Sequence, residues 1–448
     1  MRIKRIKVLM CCLLTASLGM AETPKQWTLK ECIDYALANN IQLQQKKITK
    51  SESTEDVKQA KAALFPSLSV STSQQLGYQP FRNENQNTVT NGYVESTVNK
   101  LSYSGSYDIN ANWTVWNGNK NTNTIKQQQI TEQQADLSTA VTANSIQEKI
   151  TQLYVQILYS TEAIKVNESA LETSKNNAKR GEDMVKVGQL AKADLSQLKA
   201  QVSTDEYNVV NAKSTLANYK LQLKQLLELT NEDFDVTIPV TTDVQALSEI
   251  PTLNDVYDAA VTSRPEIQNA SLGIKSSELG ISIAKAGALP SVSISSGIGA
   301  STSSLSSSGW GKQVKTNLNG SLGVSISVPI FDNRSAKTAV NKAKLVKQNQ
   351  ELELQNQQKE LYSTIENYWL EANTNQQKFK SAISSVESAQ ASYDLVDEQF
   401  RLGLKNIVEL TTGKTNLLTA QQNRLQSKYT TILNQEMLKF YKGEGINL

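Results

Sequence analysis

Four short stretches of the chain alternate between apolar and polar side chains, and long helix-period segments separate them. From Leu101 to Trp116 one set of alternate positions is Leu101, Tyr103, Gly105, Tyr107, Ile109, Ala111, Trp113 and Val115. The intervening positions are Ser, Asn, Asp and Thr until Trp116. Leu318 to Ile330 places Leu322, Val324, Ile326 and Val328 in one such set, and Ser67 to Ser71 and Ser291 to Ser295 do the same with Leu68, Val70, Val292 and Ile294. A period of two predicts strands with one apolar and one wet face. A soluble antiparallel sheet lying on a core is one reading. Tyrosine and tryptophan on the apolar side favour a lipid-facing barrel with interfacial aromatics.

Lys120 to Val185 and Ser335 to Phe400 contain no proline, and at 1.5 Å per residue each predicts a helix of ~100 Å. Their apolar residues, such as Ile146, Ile150, Leu153, Ile157, Leu158 and Ile164, form a narrow stripe in a background of Gln, Asn, Ser, Thr and Lys. Helices covered along their sides but wet on two outer faces have this pattern, as does a solvated coiled coil. Medium helices are expected from Ile41 to Leu64 and before Pro290, and a returning helix from Lys192 to Glu228. Short helices are expected at Thr28 to Asn39 and Leu253 to Ser263. Stacked end to end, a medium and a returning helix reach ~91 Å and nearly match one long helix.

These elements occur twice. Leu29 to Val70 aligns with Leu253 to Ile294 at an offset of 224, pairing Asp34 with Asp258 and Pro66 with Pro290. From Val115 the offset is 215, pairing Gly188 with Gly403, Asp194 with Glu409 and Lys199 with Lys414. The halves, 22–230 and 252–448, therefore differ by a nine-residue length change between Val70 and Val115, and 231–251 reads as their connection. Each half builds a tall wall of two columns, with strands at one end and the Gly188 or Gly403 turn at the other. Four strands cannot close a barrel and open edges are not tolerated in lipid, so membrane insertion requires several chains to pool their strands.

Composition narrows the function. Residues 1–21, with Arg2, Lys4, Arg5 and Lys7 before an apolar run and Gly19-Met20-Ala21 at its end, read as a secretory signal peptide. That leader carries four of the 46 basic residues and none of the 43 acidic ones, leaving the mature chain one charge on the acidic side of neutral. Such a chain has no electrostatic footprint for nucleic acid. Histidine is absent, which removes the usual general base and the commonest metal ligand. Cys32 is the one cysteine beyond the leader, and its pairing with Val256 in the repeat predicts a small buried apolar role. Gly413-Lys414-Thr415 lacks the first glycine of a phosphate loop, and Ser301 to Ser308 reads as a polar hairpin tip. Neither an enzyme nor a cofactor or metal site is expected.

The chain resembles the outer-membrane efflux protein (TolC) family over essentially its whole mature length. The resemblance rests on the tandem repeat and on the helix-to-strand turns Ala63 to Ser67 and Gly287 to Ser291. It rests also on the corners Trp113-Thr-Val-Trp-Asn-Gly118 and Val328-Pro-Ile-Phe-Asp-Asn333, and on the tips Val187-Gly188 and Arg401-Leu-Gly-Leu404. It implies an α+β membrane protein in which a trimer shares a 12-stranded transmembrane β-barrel continuous with a long periplasmic α-helical barrel. It further implies a passive exit duct that a periplasmic adaptor and an inner-membrane transporter open for efflux or type I secretion. By position, Asp194, Phe400 and Lys405 match closing contacts, with Lys405 reaching toward Asp194. Glu409 matches a first acidic ring at the constriction, and Thr412 stands where some members carry a second acidic residue. Gly188, Leu190, Gly403 and Leu404 match the tip that adaptors grip, while Gln189 departs from the commoner leucine. The competing reading is a periplasmic or surface coiled-coil protein with a structural or adhesive role, which leaves the alternating strands without a purpose.

Overall fold

The computed structural model describes residues 26–81, 85–89, 92–96, 100–230, 234–239 and 243–446, so the leader at 1–21 lies outside the described residues. The first half runs α1 (Leu29–Asn39), α2 (Ile41–Ala62), β1 (Ser67–Tyr78), the hairpin β2 (Asn85–Val89) and β3 (Gly92–Ser96), β4 (Leu101–Trp116), α3 (Lys120–Lys186) and α4 (Lys192–Leu226). A one-turn helix, α5 (Asp243–Ala246), lies in the connection. The second half runs α6 (Leu253–Ser263), α7 (Pro265–Ala286), β5 (Ser291–Ser303), α8 (Trp310–Thr316), β6 (Asn319–Ser327), α9 (Ser335–Arg401) and α10 (Ile407–Lys442).

Local chemistry sets these boundaries. Thr28 and Glu31 form a capping box that starts α1. Asn40 then turns the backbone extended, caps α2 through its side chain, and donates to the Leu226 carbonyl at 3.1 Å. The medium helices stop at Ala62 and Ala286, earlier than the sequence suggests. Proline keeps its preceding residue out of the helical region, so tight turns such as Phe65 N–H to the Ala62 carbonyl (3.0 Å) fill the gap to Pro66. Strands β1 and β5 run past the alternating cores of Leu68, Val70, Val292 and Ile294, because the backbone ladder with β4 continues to Tyr78 and Ser303. Strand β6 is shorter than its alternation: it ends at Ser327, ahead of Pro329, whose missing N–H cannot serve a ladder.

Helices α3 and α9 are 67 residues each, ~100 Å of helix. Beside α3 lie α2 and α4, of 22 and 35 residues, or ~33 and ~52 Å. The same arrangement recurs with α7, α9 and α10. The stripe residues Ile146, Ile150, Leu153, Ile157, Leu158 and Ile164 are all buried. Most of them join Trp27, Leu29, Cys32 and Leu223 in a core at mid-height, and Val256, Ile267, Ile365 and Leu438 form its counterpart in the second half. Cys32 and Val256 are both fully buried, and burial pushes the Cys32 thiol up to about 12. The connection contributes an unforeseen parallel bridge between Trp27 and Val236.

The four long strands form one antiparallel sheet in the order β1-β4-β5-β6. Between β1 and β4 the chain inserts the β2–β3 hairpin, and between β5 and β6 it inserts α8, so the halves differ outside the shared ladder.

Candidate functional site

Two regions carry chemistry: the sheet face and the opposite helix tips. On the sheet, register aligns Val70 with Ile109, Ile109 with Ile298, Trp113 with Ile294, and Ile294 with Val324. One face is therefore apolar across every strand. The other aligns Ser69 with Asn110, Asn112 with Ser295, and Ser293 with Ser325. Much of the apolar face is bare within the protomer: Val70, Leu322, Val324 and Ile326 are 77%, 77%, 65% and 67% exposed.

Aromatic side chains bound this apolar band. Trp113 lies at the helix end, its Nε1 donating to the Leu64 carbonyl at 2.8 Å. Tyr103 lies at the far end, its hydroxyl donating to Gln74. Ten residues of β4 separate them, which at ~3.4 Å per residue and a tilt of ~40° gives a band ~26 Å tall. That matches the apolar belt of a transmembrane barrel, ~25 Å. Among the described residues no helix is long and apolar enough to cross a membrane.

At the strand-to-helix corners, Gly118-Asn119 and Asn333-Arg334 all take positive φ, so the two halves make the same left-handed corner. A side chain on Gly118 would meet Leu289 at 2.9 Å, a close approach that only glycine permits.

At the tips, Gly188 and Gly403 have φ of 79° and 71° and end α3 and α9. The Gln189 N–H bonds to the Met184 carbonyl at 2.8 Å, and the Leu404 N–H to the Gln399 carbonyl at 2.9 Å, as in a Schellman turn. Asn406 and Glu409 form a capping box at the start of α10. The hydrogen bond from Lys405, then that from the Asn406 backbone, holds the Glu409 carboxyl below its usual value. Asp194 takes the matching first-turn position of α4, half-buried, where Ala191 provides no side-chain cap.

The resemblance carries Lys405 toward Asp194; within the protomer the carboxylate partner of Lys405, in the turn just before the cap of α10, is Glu409 in the first turn of that helix. Phe400 is 1% exposed and packs with Met184, Leu198 and Leu410, so within the protomer it is a core residue of the tip. Leu190 also turns inward, against that core and Gly181. The side chains presented outward are Val187, Leu402, Leu404 and Val408. Thr412 is exposed one turn above Glu409.

Above this core lies a cluster that the sequence reading passed over. Lys414 of α10 binds the Asp205 carboxylate of α4 and the Ser174 hydroxyl of α3, and Ser174 Oγ donates to Asp205 at 2.6 Å. Gln201 supplies a further donor to Asp205 at 3.1 Å. All of Lys414, Asp205 and Ser174 are buried. The signal was present: Lys414 interrupts the stripe Ile407, Leu410, Leu417, and Asp205 the stripe Leu198, Val209. Nearby, Arg180 pairs with Asp397 at 2.9 Å, and Asn177 donates to the Tyr393 hydroxyl at 3.3 Å.

The family model described as "Outer membrane efflux protein" matches residues 32–228 and 256–444. The outer membrane protein TolC of Salmonella enteritidis is 20% identical over 434 residues, spanning 95% of this chain and 84% of that one. In structure, CusC superposes with a TM-score of 0.79 at 15% identity, covering 93% of this chain and 92% of that one. The Vibrio cholerae outer membrane protein VceC superposes with a TM-score of 0.73 at 17% identity, covering 94% and 97%. These likenesses give the fold of an outer-membrane channel. With both halves of the repeat matched, the chain belongs to the outer membrane efflux protein family and is placed with it in the outer membrane.

Proposed function

We propose that the chain is one third of a passive exit duct. In this reading three protomers pool their four-stranded sheets into a 12-stranded barrel, β6 of one protomer pairing with β1 of the next. The helix pairs continue into the periplasm as a second barrel. The observation that carries it is a sheet with two open edges and a bare apolar face, standing on helices of 67 residues. Open edges and bare apolar area are stable in lipid only when neighbouring copies close the ring.

The tips are the gate. Asp194, Lys405, Glu409 and Thr412 lie at the narrow end, with Phe400 supporting them from within. A ring of Glu409 carboxylates attracts cations, and Thr412 leaves a second ring neutral. Gly188, Leu190, Gly403 and Leu404 shape the turns that a periplasmic adaptor grips, and an inner-membrane transporter supplies the energy. Small-molecule efflux and type I protein secretion use the same duct. The mature chain starts near Glu22 after removal of 1–21, with repeats 22–230 and 252–448 joined by 231–251.

The test is reconstitution. The detergent-extracted protein should run on an unboiled gel as an oligomer that boiling dissociates, and it should form discrete channels in a planar bilayer. A monomer that stays soluble without detergent and forms no channels overturns the reading and favours the coiled-coil alternative.

A further inference from the structure

The short helix α8 has no part in the duct as described, yet its placement is specific. Trp310 packs edge-on against Tyr107, with ring centroids 5.7 Å apart at 89°, and donates its Nε1–H to the Tyr107 hydroxyl at 3.0 Å. Tyr107 lies opposite Thr72 and Ala300 in the ladders, on the face that carries Val70, Ile109 and Ile298. Helix α8 therefore leans on the apolar face of the sheet, at the end remote from the helices. Gln313 fastens it: its Oε1 accepts from the Ser303 N–H at 2.7 Å and its Nε2 donates to the Ser308 carbonyl at 2.5 Å.

With Gln313 and Trp310 turned to the sheet, the 100° step of a helix places Lys312 and Lys315 on the opposite side, about 60° apart. Both lysines are exposed. Neither has a carboxylate partner among the described residues. Asp108, the one carboxylate within the four-stranded sheet, lies opposite Ser71 and Gly299 on the polar face. The outer rim thus presents an indole at the depth of the tyrosines and two exposed ammonium groups on the side of α8 turned away from the sheet. Tryptophan sits at a membrane interface, and lysines beside it meet the headgroups.

We infer that α8 is a lipid-recognition element, in which Lys312 and Lys315 bind the phosphate of an anionic headgroup in the outer leaflet while Trp310 seats the helix at the interface. The inference rests on the barrel reading above, since only then does the apolar face meet lipid. It assigns a partner of defined chemistry to a segment that gating and transport leave idle.

The test uses the full oligomer in nanodiscs of neutral phosphatidylcholine doped with a phosphorylated glycolipid. Retained lipid is counted by native mass spectrometry, and conductance is measured in parallel. At about 1 kcal/mol per lysine near a charged surface, Lys312→Gln with Lys315→Gln should weaken retention of the glycolipid about 30-fold, equivalent to about 2 kcal/mol. Retention of phosphatidylcholine and single-channel conductance should not change. Equal retention by the double variant and the unsubstituted protein overturns the inference, as does displacement of the glycolipid by millimolar inorganic phosphate, which would mark a site for the free ion. A protein that inserts and conducts without charge preference sinks this inference alone. One that neither assembles nor conducts sinks the barrel reading and this inference with it.

Discussion

Lys414 of α10 and Asp205 of α4 form a buried ion pair, with exposures of 5% and 2%, that joins the helix pair of the first half to that of the second. Ser174 and Gln201 complete the coordination of the carboxylate, so both charges are satisfied within the wall. Removing one member leaves the other charge buried and uncompensated, which costs about 3–5 kcal/mol. Lys414→Met should therefore lower the thermal midpoint clearly and raise hydrogen exchange across residues 170–210. The double substitution Lys414→Met with Asp205→Leu should recover much of the loss, because an apolar pair of similar volume replaces a buried ion pair at little cost. If the double variant is no more stable than the single one, the pair is not the element that joins the walls.

Glycine at the tips is a matter of backbone, not of space. Nothing lies within 4 Å of a methyl added at Gly188 or Gly403, yet both have positive φ. Gly403→Ala should cost about 1–2 kcal/mol through the left-handed conformation alone. Gly403→Asn should cost less, because asparagine tolerates that region. Thermal unfolding of the solubilised oligomer measures both, and equal losses for the two variants would point to a steric cause instead.

Much of this fold was legible in the sequence because each element rests on a short-range signal. The strands declared themselves by alternation, and the long helices by freedom from proline and a narrow stripe. What escaped was whatever depends on a partner distant in the chain. The Trp27–Val236 bridge spans two segments without periodicity. Helix α8 is only seven residues long and is held by Tyr107 and Ser303 rather than by its own pattern. Lys414 and Asp205 were visible as charges in apolar stripes, but the contact between them follows from how α4 and α10 pack. That Phe400 and Leu190 pack into the core of the tip was likewise not legible, because it depends on Met184, Leu198 and Leu410 from other segments.

The acid limb of the proposed gate follows from Glu409. Its carboxyl is held low by Lys405 and by the Asn406 N–H. A lowered native pKa means that this cap contributes stability above the unfolded-state value and loses it as the pH falls through the native one. With no histidine in the chain to titrate between pH 5 and 8, tip conductance should be flat over that range. It should change only as the pH falls below the ordinary carboxylate range. Glu409→Gln combined with Lys405→Ala should raise single-channel conductance at neutral pH and abolish the acid limb. Conductance that stays at the original level in that variant would place the constriction elsewhere.

The decisive contrast lies between neighbours on one strand. Val324 and Ser325 are adjacent in β6 and both exposed in the protomer, so a soluble sheet would accept lysine equally at either. In the barrel they part. Val324 lies opposite Ile294 on the apolar face, toward the helix end of the band, while Ser325 lies opposite Ser293 on the wet face. A lysine on the lipid side costs about 2–4 kcal/mol at the midplane and less toward either interface, and a pooled ring incurs its cost once per protomer. Val324→Lys should therefore weaken the boiling-sensitive oligomer in outer-membrane fractions, and Ser325→Lys should leave it intact and shift only ion selectivity. Equal tolerance of the two substitutions would mean that the apolar face meets protein or water instead of lipid, and the duct would lose its membrane-spanning part.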